Sequence, residues 1–211
     1  MKEGRRLPRA FFVRTDVAQI ARDLLGMVLV TKYGGERTAG RIVETEAYRG
    51  PDDKACHAYG NRRTARTEVM FGPGGHAYVY LCYGIHHLFN VVTAPEGQAH
   101  AVLIRAIEPL ENVGRMLQRR QRPAPTPQLT SGPGVMSKAL GITIVDTGLD
   151  LLDPHGPIWI EDPRQQQTRI GSGPRIGVDY AEECALWPWR FWIEGNEWVS
   201  GKRKRGQRLK G

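Results

Sequence analysis

The sequence predicts an α+β fold with a largely antiparallel sheet. Three observations predict it. Strand-like and helix-like segments are interspersed without the strand–helix–strand rhythm of a parallel sheet. Two strand pairs are joined by tight glycine turns, at Gly34-Gly35 and at Gly84. The 211 residues, 40% hydrophobic and 25% charged, suit one well-filled core.

The elements follow in order. Thr15–Leu25 reads as a helix: Thr15 or Asp16 caps it, Val17, Ile20, Ala21, Leu24 and Leu25 form one apolar stripe, and Gly26 stops it. Met27–Tyr33 is a strand, Gly34-Gly35 a turn, and Gly40–Tyr48 a second strand. Residues 50–75 read mostly as loop, with a short helix around Arg66–Phe71. Ala77–Tyr83 is strongly β-prone, Gly84 breaks it, and Ile85–Thr93 returns. Ala101–Ile107 is a further strand and Pro109–Arg122 a helix. The Pro-rich stretch 123–127 is a surface loop rather than a domain boundary, because the flanking pieces are small for separate cores. Gly134–Leu140 opens a helix. Short strands close the chain, at Arg190–Ile193 and Trp198–Val199. The reading is one domain over residues 1–200 and a basic flexible tail over 201–211.

Charge narrows the partners. The net charge is +8, and the segment GKRKRGQRLKG (201–211) supplies six Lys/Arg and no acid. Subtracting, 8 − 6 leaves +2 for residues 1–200. Such a tail strengthens binding to a polyanion without reading its sequence. Further clusters stand at Arg62, Arg63 and Arg66 and at Arg115, Arg119, Arg120 and Arg122, so nucleic acid is the leading partner class. No apolar run approaches the ~18 residues of a membrane helix, and MKEGRRLPRAFF lacks the apolar stretch of a signal peptide. A cytoplasmic protein is expected, nucleoid-associated if bacterial, with no membrane partner. Cys56, Cys82 and Cys184 are odd in number and far apart, which argues against a disulfide framework. Cys56-His57 has no second His/Cys pair at ligand spacing, so neither a metal nor a cofactor is expected.

Candidate chemistry begins in strand 40–48. Alternation puts Ile42, Glu44, Glu46 and Tyr48 on one face. The pattern alone fits a solvent-facing sheet surface better than a site. Strand 101–107 shifts that balance. Its Leu103 and Arg105 share a face, and an arginine among apolar residues needs an anion. A Glu46–Arg105 pair is expected, as a catalytic pair or as a structural salt bridge. In the hairpin, Tyr78 and Tyr80 face one way and Tyr83 the other, beside the turn. A tyrosine at a hairpin tip is an ordinary surface residue, packs against a second copy, or serves as a wedge pushed into stacked DNA bases. An enzyme acting on a base must flip it out of the duplex, and Tyr48, Tyr80 and His57 are candidate walls for it. The Gly/Pro turn 131–138 feeds a helix N-terminus, and its Ser137 and Lys138, with Arg62 and Arg63, are candidate contacts to the DNA backbone.

The segments RIVETEAYRGPDDKACHA (41–58), MFGPGGHAYVYLCYGIHHLFNVV (70–92) and AVLIRAIEPLE (101–111) closely resemble the alkyladenine (3-methyladenine) DNA glycosylase family. FFVRTDVAQIARDLLGMVLV (11–30), TSGPGVMSKALGI (130–142) and WRFWIEGNEWVS (189–200) extend the resemblance in order along the chain. It implies a curved sheet in a single mixed domain, with a hairpin that enters the DNA minor groove. It implies Glu46 as the general base that activates water, with Arg105 helping to position that water. Tyr48, His57 and Tyr80 would stack around the flipped base, with Leu103 a further pocket contact. Asn90 would oppose bases with a guanine-type exocyclic amine, and Tyr83 would intercalate. The implied activity is monofunctional excision of alkylated or deaminated purines from double-stranded DNA, by a monomer with no obligate protein partner. Three positions depart from the family pattern. Gly74 stands where a proline is common, which implies a looser loop, and Cys82 and Ile85 flank the wedge where bulkier aliphatic and methionine side chains are expected. Two other classes were weighed. A non-catalytic damaged-DNA-binding protein would lack the acid at position 46, and a carbohydrate hydrolase fits the basic tail and tip tyrosine poorly.

Overall fold

The computed structural model describes residues 4–163 and 169–201; the expected tail lies almost wholly outside them. Arg5–Arg6 form edge strand β1 and Arg9–Phe12 one helical turn, α1. Helix α2 (Val17–Asp23) begins at Asp16, whose carboxylate accepts the Gln19 N–H at 2.9 Å. Its stripe, Val17, Ile20 and Ala21, is buried, and Gly26 at φ 87° ends the segment. Strand β2 (Val28–Tyr33) then turns through Gly34-Gly35 into β3 (Glu36–Arg49). The hairpin β4 (Ala77–Cys82) and β5 (His86–Thr93) precedes β6 (His100–Glu111) and helices α3 (Val113–Arg120) and α4 (Pro133–Leu140). Strands β7 (Ile158–Asp162), β8 (Ile170–Gly173) and β9 (Arg190–Ile193) complete the described elements.

All the pairings are antiparallel, in the order β1-β7-β2-β3-β6-β5-β4, with β9 joining β3 and β8 joining β9. The sheet is open, in a mixed α+β architecture, as the sequence pattern predicted. Strand β3 matters most for the site. Its first half pairs with β2, and Glu44–Glu46 pair with β9 on one side and β6 on the other. Edge pairing alone leaves the faces of a central strand free to meet solvent, so exposure decides. Both Glu44 and Glu46 are 0% exposed, so the solvent-facing alternative is excluded.

Some sequence expectations are corrected. The helix expected from Pro109 starts only at Val113, because β6 continues through Pro109-Leu110-Glu111. Proline is tolerated there because Pro109 pairs with Gly40 at a register shift. A Cβ on Gly40 would lie 2.5 Å from the Ile107 Cδ1 and 3.0 Å from the Glu108 carbonyl oxygen, so a larger residue at this close strand approach would displace the Ile107 side chain. Strand β3 begins at Glu36 rather than Gly40. Trp198 lies in a turn and Val199 in irregular backbone, not in a strand. The loop at Gly74 is held rather than loose. Its N–H donates to the Ala94 carbonyl at 3.0 Å, its carbonyl accepts from Arg9 at 2.7 Å, and a Cβ there would meet the Phe12 carbonyl oxygen at 2.6 Å.

Candidate active site

Glu46 sits where β3, β6 and the 174–178 loop converge. Its Oε1 accepts the Ile176 N–H at 2.8 Å and pairs with the Arg105 Nη1 at 3.2 Å. Its Oε2 accepts the Tyr48 hydroxyl at 2.8 Å. Burial, then the Glu46 charge, push the Tyr48 pKa well above its ordinary value, so the phenol stays a donor. The expected Glu46–Arg105 pair is present, but Arg105 is shared. Its Nε donates to Glu44 at 3.0 Å. Burial disfavours the Arg105 cation, yet Glu46 and Glu44 outweigh that and raise its pKa. Glu44 also accepts from the Arg190 Nε at 2.6 Å, the Ser200 hydroxyl at 2.9 Å and the Ser200 N–H at 2.7 Å.

Above this cluster opens a cleft of about 200 Å³. Glu46 does not line it, but its three partners, Tyr48, Arg105 and Ile176, do. His57, Tyr80, Asn90 and Leu103 line it as expected, together with Tyr78 and Tyr180. The His57 ring meets Tyr80 edge-on at 4.6 Å, and its Nδ1 lies 2.7 Å from the Tyr78 hydroxyl. Burial, then the Arg66 cation, lower the His57 pKa to about 4. The imidazole is therefore neutral at pH 7. The Asn90 amide nitrogen donates to the carbonyls of Tyr78 and Leu88 at 3.0 and 3.3 Å, which fixes it across the hairpin. A cleft that gathers Tyr48, Tyr78, Tyr80, Tyr180 and a neutral His57 beside a buried carboxylate suits a planar, electron-poor ring.

Tyr83 also lines the cleft but stands at its rim, 92% exposed. The strands stop at Cys82 and His86, leaving Tyr83-Gly84-Ile85 as the tip. Tyr83 takes φ 50° and Gly84 φ 72°, consecutive positive angles as in I′ hairpin turns. Holding a non-glycine residue there costs roughly 1–2 kcal/mol. Leu81 and Ile85 beside it are exposed as well. The hairpin thus presents a strained apolar point to solvent, as functional positions often do.

The pattern of the family described as Methylpurine-DNA glycosylase (MPG) matches residues 10–197. The chain belongs to that family. A Bacillus cereus (strain B4264) relative named "Putative 3-methyladenine DNA glycosylase" is 48% identical over 199 residues, covering 90% of this chain and 97% of the relative. A Bacillus anthracis (strain CDC 684 / NRRL 3495) relative of the same name matches at the same identity and coverage.

The remaining site candidates of this family member fare unevenly. Arg62 and Lys138 are exposed. Arg63 is exposed too, but it pairs with Glu68 at 3.2 Å and packs over the Phe71 ring at 4.3 Å. Ser137 is 0% exposed on the inner side of α4, so its hydroxyl is not placed to reach a phosphate. Sequence reasoning missed Tyr78, Ile176, Arg190 and Ser200. Tyr78 was legible from its face shared with Tyr80. Ile176 acts through its backbone N–H, which no side-chain pattern signals. Among the described residues no three His, Cys, Asp or Glu side chains gather as they would around a metal ion, and no helix is long and apolar enough to cross a membrane.

Proposed function

We propose that this chain is a monofunctional glycosylase that flips alkylated or deaminated purines, of the 3-methyladenine and hypoxanthine class, out of duplex DNA and hydrolyses the N-glycosidic bond. This step starts base excision repair. The family and the names of its bacterial relatives support the methylpurine substrate class. The observation that carries the mechanism is the way Glu46 is held. A carboxylate has about four acceptor sites, and Glu46 accepts two hydrogen bonds, from Ile176 on Oε1 and Tyr48 on Oε2, beside the Arg105 ion pair on Oε1. Oε2, beside the Tyr48 hydroxyl, is therefore the less crowded oxygen and the one with room for a water.

A water held at that site gives a proton to Glu46 as its oxygen bonds to the sugar C1′. The C1′–N bond breaks, and its electron pair leaves with the base. A ring-methylated purine carries a positive charge and departs neutral, so it needs no acid. Hypoxanthine needs a proton, from water or a backbone donor. Neutral His57, Tyr80, Tyr48 and Leu103 wall the base, Asn90 opposes an exocyclic amine, and Tyr83 fills the gap left in the stack. Arg62 and Lys138 bear on phosphates. The enzyme works as a monomer, and the reaction requires no cofactor.

The deciding experiment is Glu46→Gln on duplexes carrying one hypoxanthine or 3-methyladenine. Base release falls about 10²–10⁴-fold, the usual worth of a positioned general base, while lesion binding persists. Release within tenfold of the parent enzyme removes Glu46 from this role. Borohydride added during turnover traps no protein–DNA adduct; a Lys138-dependent adduct would contradict the monofunctional reading.

A further inference from the structure

We infer that Arg175, through its buried pair with Asp53, is a positioning residue for the Glu46 carboxylate; this rests on the glycosylase reading above. Both side chains are fully buried, and the guanidinium grips the carboxylate through two bonds, at 2.5 and 2.8 Å. A buried pair of this kind is weak evidence of stabilisation in itself, so its placement must be explained by what it holds. The same guanidinium donates to the Ala47 carbonyl at 2.8 Å and the Cys184 carbonyl at 3.0 Å. Its carbon lies 4.7 Å from the Tyr48 ring centre. Its Nε, buried, has no hydrogen-bond partner.

These contacts reach both hydrogen-bond donors of Glu46. Tyr48 gives Oε2 its hydroxyl, and Arg175 packs against that ring. Ile176 gives Oε1 its N–H, and Arg175 is the residue before it. The ion-pair partner of Glu46, Arg105, is held separately by Glu44. Asp53 meanwhile accepts the N–H groups of Ala55 at 3.0 Å and Arg49 at 3.3 Å, which shapes the loop leading to His57. The pair therefore ties the loop bearing a base wall to the loop bearing a Glu46 donor. Neither charge touches the base, and neither residue lines the cleft. Their effect belongs on the chemical step rather than on DNA affinity, because misplacing a reacting group by a fraction of an ångström costs rate.

The test compares Arg175→Met, Arg175→Lys and Asp53→Asn with the parent enzyme. Single-turnover release from a hypoxanthine duplex is measured beside affinity for a duplex with a non-cleavable abasic analogue. The parent enzyme must release the base, and failure there sinks the glycosylase reading rather than this one. We expect Arg175→Met to slow release at least 30-fold and to change affinity less than threefold. Arg175→Lys, which keeps the charge, recovers part of the loss. Tyr48→Phe costs much less in the Arg175→Met background than alone, because Arg175 acts through Tyr48. In folded variants, any of three results overturns the inference: release within threefold of the parent, parallel losses of rate and affinity, or strict additivity with Tyr48→Phe. Loss of folding in both Arg175→Met and the nearly isosteric Asp53→Asn also overturns it, and leaves the pair a structural bridge.

Discussion

Glu44→Gln tests whether the second carboxylate is structural, and the size of its effect follows from four bonds. Glu44 Oε1 accepts from Arg105, Arg190 and the Ser200 hydroxyl, and Oε2 accepts the Ser200 N–H. Glutamine is nearly the same shape, and its best orientation keeps oxygen at the Oε1 position. Two arginine bonds then fall from charged to neutral strength, a loss of about 1 kcal/mol each. The amide NH₂ meets the Ser200 N–H donor to donor, and a buried donor without an acceptor costs about 1–3 kcal/mol. The sum is about 3–5 kcal/mol. For a chain of this size 1 kcal/mol moves Tm by about 2–4 °C, so a fall of roughly 10 °C is expected by circular dichroism. Release at 25 °C, assayed on the hypoxanthine duplex, falls less than tenfold. A Tm within 2 °C of the parent refutes the structural assignment, and a rate loss as deep as that of Glu46→Gln refutes the division of labour between the two acids.

Two further outcomes follow from the cleft. Tyr83→Ala removes an exposed, unpacked side chain, so stability changes by no more than about 0.5 kcal/mol, while affinity for a lesion duplex drops more than for an undamaged one; equal affinities in a gel-shift titration count against the wedge. His57 has its folded pKa lowered to about 4 from an ordinary 6.5, so between those values the unfolded chain holds a proton that the native chain does not. That stability is present above pH 6.5 and lost as pH falls towards 4, by at most about 3 kcal/mol at 1.36 kcal/mol per unit; an NMR titration of His57 with a midpoint near 6.5 would contradict it.

The sheet was legible because its strands carry β-prone runs between glycine turns, and α2 because its cap and stripe coincide. The misreading at Pro109 has a physical origin. Local pattern treats proline before a polar run as a helix start, and only the pairing with Gly40 makes it a strand residue. The site was legible where side chains carry it. Glu46 with Arg105, and the aromatic cleft, follow from strand faces. Residues that act through backbone atoms, or through a partner more than 100 positions away, leave no local trace. Ile176 and Ser200 are of this kind, 130 and 156 positions from the acids that they bond. Ser137 misled for the complementary reason. A Gly/Pro turn before a helix suggests an anion site whichever way the side chains point, and here Ser137 points inward.

Glu44 and Glu46 are two residues apart, share a strand face and are equally buried, so neither sequence nor exposure distinguishes them. Their partners do. Glu44 accepts four hydrogen bonds, three on Oε1 from Arg105, Arg190 and the Ser200 hydroxyl and one on Oε2 from the Ser200 N–H, and neither Arg190 nor Ser200 lines the cleft. Glu46 accepts two, from the Ile176 N–H and the Tyr48 hydroxyl, and pairs with Arg105, and all three of these residues line the cleft. The less crowded oxygen of Glu46, Oε2, adjoins Tyr48, whose raised pKa keeps it a donor. Arg105, paired with both acids, then serves two ends at once. Glu44 holds its Nε side, which sets where Nη1 meets Glu46. On this argument the base is the member of the pair whose partners all line the cleft, and the other member's charge is spent on holding the arginine in register.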